Sequence, residues 1–295
     1  MRAAGRAPGA SDRGAGPRRP REPIVYQDHF GLTALPFGES TDPSMMVPLP
    51  SREAARRRLR YGLEHGKGPA LLFGPPGSGK TLVASALARE LGGRSVLLGF
   101  PAMSPAELLA FLADELDGLE RTARAEPPGM HATLRRLRGQ LAGPAARGRP
   151  VLLVVDEAQL IEDPATFEAL RLLQNLAGAG PPDLRLLLVG TPEVLLRLPP
   201  GLDDRLTARY GLGPLTEEES AAYVTGRLAA AGARRPLFDR EQLAAMYRMA
   251  DGLPRRLNRL ADLALLLAFA EGLPRPDSRC LDLASREATP DPIAA

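Results

Sequence analysis

The sequence predicts an α/β protein: a parallel sheet sandwiched by helices, followed by a smaller all-helical unit. Three observations predict it. Strand-sized aliphatic runs stand at 70–73 ("ALLF"), 95–98 ("SVLL"), 151–155 ("VLLVV") and 184–189 ("LRLLLV"), each bounded by Gly, Pro or charge. Helical patterns at 80–91, 104–117, 131–142 and 164–177 separate them, and strands that alternate with helices pair in parallel with helices on both faces. After a last short strand near 209–213 the strand signals stop, and helical patterns follow at about 216–231, 239–250 and 254–271.

Taken in order, the chain opens on a tail that holds Arg2, Arg6, Arg13, Arg18, Arg19 and Arg21 and few apolar residues. Such a segment buries too little to fold, and it lacks the apolar core of a signal peptide. Two helix starts are explicit. Ser104 is followed by Pro105 and, three residues on, by Glu107, the pattern of a reciprocal cap, and Asp163-Pro164 is a second start signal. With 44% hydrophobic residues in 295, a sizeable core can form. One cysteine, Cys280, excludes an internal disulfide framework, and three histidines without ligand spacing argue against structural zinc. A reducing, cytoplasmic setting is expected. The most apolar helical stretch, "ADLALLLAFA", is about half of what a bilayer needs and contains Asp262, so no transmembrane segment is expected.

The chemistry begins directly after the first strand with "GPPGSGKT", residues 74–81, which runs into a helix. This is the G-x-x-x-x-G-K-[ST] phosphate-binding loop in its strand–loop–helix setting. Gly74, Pro75, Pro76, Gly77, Ser78, Gly79, Lys80, Thr81 and Leu82 form the expected nucleotide-binding set. The glycines let the backbone approach a polyphosphate, and the helix adds its positive N-terminal end. Lys80 is expected to neutralise the β- and γ-phosphates, and the Thr81 hydroxyl to bind Mg²⁺.

"VLLVV" ends in two adjacent carboxylates, Asp156 and Glu157, which repel one another and cost free energy to bury unpaired. Ligands sit at the carboxyl ends of parallel strands, so Asp156 is expected to face the loop from a neighbouring strand and to hold Mg²⁺. Glu157 is then free to act as the base that polarises an attacking water. The guanine-reading N-K-x-D signature is absent, since neither Asn175 nor Asn258 begins such a run, which favours ATP. The domain reading follows: 1–23 a disordered basic tail, 24–213 the α/β nucleotide-binding domain, 214–272 a helical lid, 273–295 a disordered tail.

The loop, "VVDEAQ", "LLLVGTPEVLLRL", "DDRLTARYGLGPLTEEESAAYVTGRLAAAG" and "GLPRRLNRLADLALL" together resemble the AAA+ ATPases, and more narrowly the general secretion pathway protein A (ExeA-like) branch. The segment from Tyr26 to Gly66 is similar to that branch's N-terminal signature. The resemblance implies a P-loop NTPase fold and an ATPase that drives assembly or remodelling of a secretion, pilus or exopolysaccharide system. Its partners would be further copies of the chain in a homo-oligomer and a protein client, membrane-associated in the secretion setting. It places Thr191 at the sensor position near the γ-phosphate. Arg205 falls at the arginine-finger position, with Arg209 as second choice. Arg255 in "GLPRR" is the lid arginine that reaches the γ-phosphate, with Arg256 as its alternative. Transposition-type ATPases share the core, so an ATP-gated DNA-binding regulator is the alternative function. A small-molecule kinase is disfavoured by the Asp–Glu pair and the long lid.

"SREAARRRLR" puts Arg52, Arg56 and Arg60 on one helical face, with Arg57 and Arg58 alongside, a stripe able to meet DNA phosphates or anionic lipid. Aromatics amount to only 4% and none interleaves with that stripe, so a solvated face is the favoured reading and DNA the less favoured partner.

Overall fold

The structure, a computed structural model, describes residues 26–38, 46–66, 68–118, 129–146, 150–176 and 184–288. The basic tail over 1–23 lies outside them. Five strands, β1 (Ala70–Phe73), β2 (Ser95–Leu98), β3 (Val151–Val155), β4 (Leu184–Gly190) and β5 (Ala208–Gly211), pair in parallel in the order β2-β3-β4-β1-β5. The α/β expectation therefore holds, with one correction. β3 is not beside β1: β4 lies between them, so Leu187 pairs with both Ala70 and Val154.

Strand alternation sorts the aliphatic residues into two cores. Leu72, Leu152, Val154, Leu187 and Val189 face α2 (Pro50–His65) and α3 (Lys80–Leu91). Leu71, Leu153, Val155, Leu186 and Leu188 face α4 (Pro105–Asp117), α5 (Met130–Ala146) and α6 (Pro164–Leu173). Both faces are covered, which is why β3 is buried at every position and reads as an unbroken aliphatic run. The caps form as the sequence implies. Ser104 accepts from the Glu107 N–H while Glu107 accepts from Ser104, and Asp163 accepts from the Ala165 N–H at 2.8 Å.

The lid is α9 (Glu217–Ala230), α10 (Arg240–Ala250), α11 (Pro254–Ala270) and α12 (Ser278–Ala288), packed around the apolar side of α11 at Leu257, Leu260, Ala261, Ala264 and Leu265. Short helices α7 (Val194–Arg197) and α8 (Pro200–Asp203) connect β4 to β5. Two features depart from the sequence reading. The N-terminal segment with α1 (Gln27–Phe30) belongs to the lid core rather than to the α/β core: Tyr26, Phe30, Leu32 and Phe37 are buried there, and the Thr33 N–H donates to Ala231 O at 2.7 Å. Residues 278–288, assigned above to a disordered tail, form α12. Asp277 caps it, accepting from the Cys280 N–H at 2.8 Å, and Cys280, Leu281 and Ala284 are buried against the lid.

Burial pushes the Cys280 thiol pKa up, so the chain's only cysteine reports on α12. A thiol reagent should label it slowly in the native protein and rapidly in denaturant. Leu281→Ala should cost about 2–4 kcal/mol in urea titration; fast native labelling together with a neutral Leu281→Ala would mean that α12 is undocked.

Candidate functional site

The chain leaves β1 through Gly74, whose N–H donates to Gly190 O at the tip of β4 at 3.2 Å. Gly77 and Gly79 then take left-handed backbone at φ 76° and 91°. A Cβ on Gly77 would stand 2.9 Å from the Arg255 Cβ, so the lid as well as the backbone excludes a side chain there. The turn delivers the first N–H groups of α3 to the loop. Lys80 at its start is 7% exposed and donates Nζ to the carbonyls of Gly74 and Pro75 at 3.0 and 3.1 Å. Burial lowers its pKa, while the charges of Glu157 and Asp156 act in the opposite sense.

One residue along α3, the Thr81 hydroxyl donates to Asp156 Oδ2 at 2.6 Å. The other Asp156 oxygen accepts from the Glu157 N–H at 2.9 Å, so the buried carboxylate has a partner on each oxygen. Glu157 has φ 52° and ψ 39°, a left-handed conformation rare outside glycine. That turn separates the two carboxylates: Asp156 stays buried, and Glu157 emerges exposed at the cavity.

Thr191 follows Gly190 at the tip of β4 and lines the same cavity. Its N–H donates to Gln159 Oε1 at 3.0 Å. Its hydroxyl hydrogen-bonds the Glu193 carboxylate, which holds Glu193 below the usual carboxylate range, with Lys80 as a lesser cause. From the lid, the Arg255 N–H donates to Gly77 O at 3.2 Å, which brings the start of α11 onto the loop. Arg256, the alternative, pairs with Asp251. Arg205 and Arg209 are exposed near β5 and do not line this cavity; Arg209 pairs with Asp203.

Three buried side chains at the site escaped the sequence reading. Arg52 is not on the surface stripe. It is 5% exposed and donates Nη2 to Ser78 O at 2.8 Å and Nη1 to Ser51 Oγ at 2.9 Å. Glu219 of α9 accepts from both the Ser51 N–H and hydroxyl at 2.8 and 2.9 Å, which joins α2, the loop and the lid. Arg227, 2% exposed, donates to Pro36 O at 2.6 Å and Gly38 O at 3.2 Å and lies over the Tyr223 ring. Burial lowers the Arg52 pKa against the opposing charge of Glu219, as expected of a guanidinium whose hydrogen bonds go to a carbonyl and a hydroxyl rather than to a carboxylate. Of the other arginines on that helix, Arg56 pairs with Glu53 and Glu90 and Arg60 with Glu64, while Arg57 and Arg58 are exposed.

These groups surround a cavity of about 1170 Å³ between sheet and lid. Phe37, Val47, Leu49 and Tyr223 give it apolar lining. The loop, Lys80 and Arg255 line it as well, and Arg52, Arg227, Arg256 and Arg259 add positive charge. The site is built for a ligand with a flat apolar group and a polyanionic tail. Among the described residues no cluster of three or more His, Cys, Asp or Glu holds a metal, but the Thr81 hydroxyl beside the Asp156 carboxylate is a hard oxygen pair. Mg²⁺ is held in this way, by one or two protein oxygens with phosphates and water completing its shell.

A phosphate loop on β1 facing a carboxylate pair on β3 across an inserted β4, with a helical lid above, is the architecture of the AAA+ P-loop ATPases, and the chain has that fold. Residues 63–198 match the family described as AAA domain. In particular the chain is similar to General secretion pathway protein A of Aeromonas hydrophila, 34% identical over 244 residues that cover 81% of this chain and 44% of that protein. It therefore spans less than half of that relative. Among solved structures, Cdc6p from Pyrobaculum aerophilum superposes with a TM-score of 0.67 at 20% identity, covering 86% of this chain and 70% of that one. The Aeropyrum pernix ORC2 protein, solved as ADPNP–ADP complexes, gives 0.66 at 17%, covering 85% and 71%. At these identities the structures share the fold.

Arg52→Ala would leave Ser78 O and the Ser51–Glu219 pair short of a buried donor. It should destabilise the protein by about 2–3 kcal/mol in chemical denaturation and weaken nucleotide binding. Arg52→Lys should restore little, since a single ammonium cannot span both acceptors.

Proposed function

We propose that the chain binds Mg·ATP in the cavity between sheet and lid and hydrolyses it. The convergence of Lys80, Thr81, Asp156 and Glu157 at the carboxyl end of the sheet carries this reading. The loop N–H groups and Lys80 bind the β- and γ-phosphates, and the Phe37, Val47, Leu49 and Tyr223 wall takes the base. Thr81 and Asp156 hold the metal, which when bound neutralises phosphate charge. Glu157 accepts a proton from a water whose oxygen bonds to the γ-phosphorus as the bond to the β-phosphate oxygen breaks, giving ADP and phosphate. Thr191 and Arg255 face the γ-phosphate from β4 and the lid.

Hydrolysis drives assembly or remodelling of a protein client in a secretion, pilus or exopolysaccharide system, on the cytoplasmic side where ATP is available. The similarity to General secretion pathway protein A supports this setting, and no helix among the described residues is long and apolar enough to cross a membrane. The internal pairing of Arg56 and Arg60 supports it over the DNA-binding alternative. Arg205 stands away from its own cavity, which suits a finger reaching the site of a neighbouring copy in a homo-oligomer.

Glu157→Gln should bind ATP normally and lose roughly 10²–10⁴-fold in turnover; wild-type turnover in that variant would remove Glu157 from the reaction. Mixing Lys80→Ala with Arg205→Ala subunits should recover activity at intermediate ratios, and no recovery at any ratio would count against shared sites. Stimulation of turnover by DNA with a steep salt dependence would favour the regulator instead.

A further inference from the structure

We infer that Gln159 is a positioning residue: its side-chain amide holds the Glu157 carboxylate and ties it to the tip of β4. The inference rests on the hydrolysis reading above and assigns a residue that this reading does not use. Gln159 Nε2 donates to Glu157 Oε2, and Gln159 Oε1 accepts from the Thr191 N–H at 3.0 Å. The orientation of the amide is dictated by its partners. A backbone N–H can only donate, so the amide oxygen must face Thr191, and the amide NH₂ is left to face the carboxylate.

The backbone makes room for this arrangement. A Cβ on Gly190 would stand 2.7 Å from Gln159 Oε1, so any side chain at that position would push the amide off the strand end. Gln159 itself sits on a single 3₁₀ turn, Ala158–Leu160, whose flanks are fixed by Ala158 at 0% and Ile161 at 2% exposure. The amide therefore has a rigid base and a rigid far partner, and Glu157 is the mobile group between them.

An exposed glutamate on a left-handed residue has several rotamers open to it. The bond from Gln159 selects one. It occupies Oε2 alone, so Oε1 keeps its lone pairs for the proton of a water. Because Gly190 O also accepts the Gly74 N–H, one strand tip carries the start of the phosphate loop, Thr191 and, through the amide, the base. A displacement of Thr191 is passed to Glu157 through two hydrogen bonds.

The test uses the full chain. Gln159→Met keeps length and bulk and removes both bonds. It should lower kcat roughly 10- to 100-fold, the cost of misplacing a base by about 1 Å, while affinity for a fluorescent mant-ATP changes less than about threefold. In a Glu157→Gln background the same change should alter the residual turnover by less than about twofold, because its effect passes through Glu157. Gln159→Glu, which can accept from nothing on Glu157 and donate nothing to it, should lose at least as much as Gln159→Met, and it decides the matter if the methionine variant does not fold. Unchanged kcat, an equal loss in the Glu157→Gln background, or affinity falling in step with kcat would each overturn the inference. Full activity in Glu157→Gln would instead sink the hydrolysis reading, whereas an inactive Glu157→Gln with a fully active Gln159→Met sinks this inference alone.

Discussion

The structure depends on how one buried carboxylate is satisfied. Asp156 ends a strand that is covered on both faces, where an unpaired charge would cost several kcal/mol. It is held by the Thr81 hydroxyl on one oxygen and the Glu157 N–H on the other. The first bond fixes the start of α3 relative to the end of β3. Once α3 is fixed, the direction of its N–H groups, the seat of Lys80 and the path of the phosphate loop follow from helix geometry. The second bond accompanies the left-handed turn at Glu157, so the neighbouring carboxylate swings out of the core. Two like charges adjacent in sequence thereby come to occupy different environments, one suited to holding a metal and one to accepting a proton.

The cations near the cavity follow a different logic. Arg52 and Arg227 are buried as deeply as Asp156, yet both donate to neutral acceptors: Ser78 O and Ser51 Oγ for the first, Pro36 O and Gly38 O for the second. A carbonyl meets the hydrogen-bonding needs of a guanidinium without cancelling its charge. Their field adds to that of Lys80, Arg255 and Arg259, and acids on the cavity wall are few: Glu157, and Asp262, which accepts from the Tyr26 hydroxyl. The cavity is an anion site through its folding as well as through its loop.

Much of this was legible in the residues. The aliphatic runs became strands at nearly the boundaries read from them, because β3 and β4 are covered on both faces and β2 on one, where aliphatic side chains pack best. The phosphate loop and the Asp–Glu pair were legible because their chemistry restricts residue type and spacing together. The insertion of β4 between β3 and β1 was not, since strand order is a matter of tertiary pairing. Arg52 lay on a helix whose spacing was read correctly, but periodicity does not say which side meets the phosphate loop. Gln159 stood inside the quoted "VVDEAQ", and its role depends on the register of β4, which brings Thr191 within reach. α12 was missed because "DSRCLDLASREA" offers only Cys280, Leu281 and Ala284 to the core amid charge, although Asp277 was a readable start signal.

The lid is assembled from both flanks of the α/β unit. Residues 26–37, Val47, Leu49 and Leu215 share one core with the helices from α9 to α12, so the lid is built from chain that precedes α2 as well as from chain that follows β5. Val47 and Leu49 belong to that core and also line the cavity. A molecule held in the cavity therefore touches the lid's own apolar core as well as the phosphate loop.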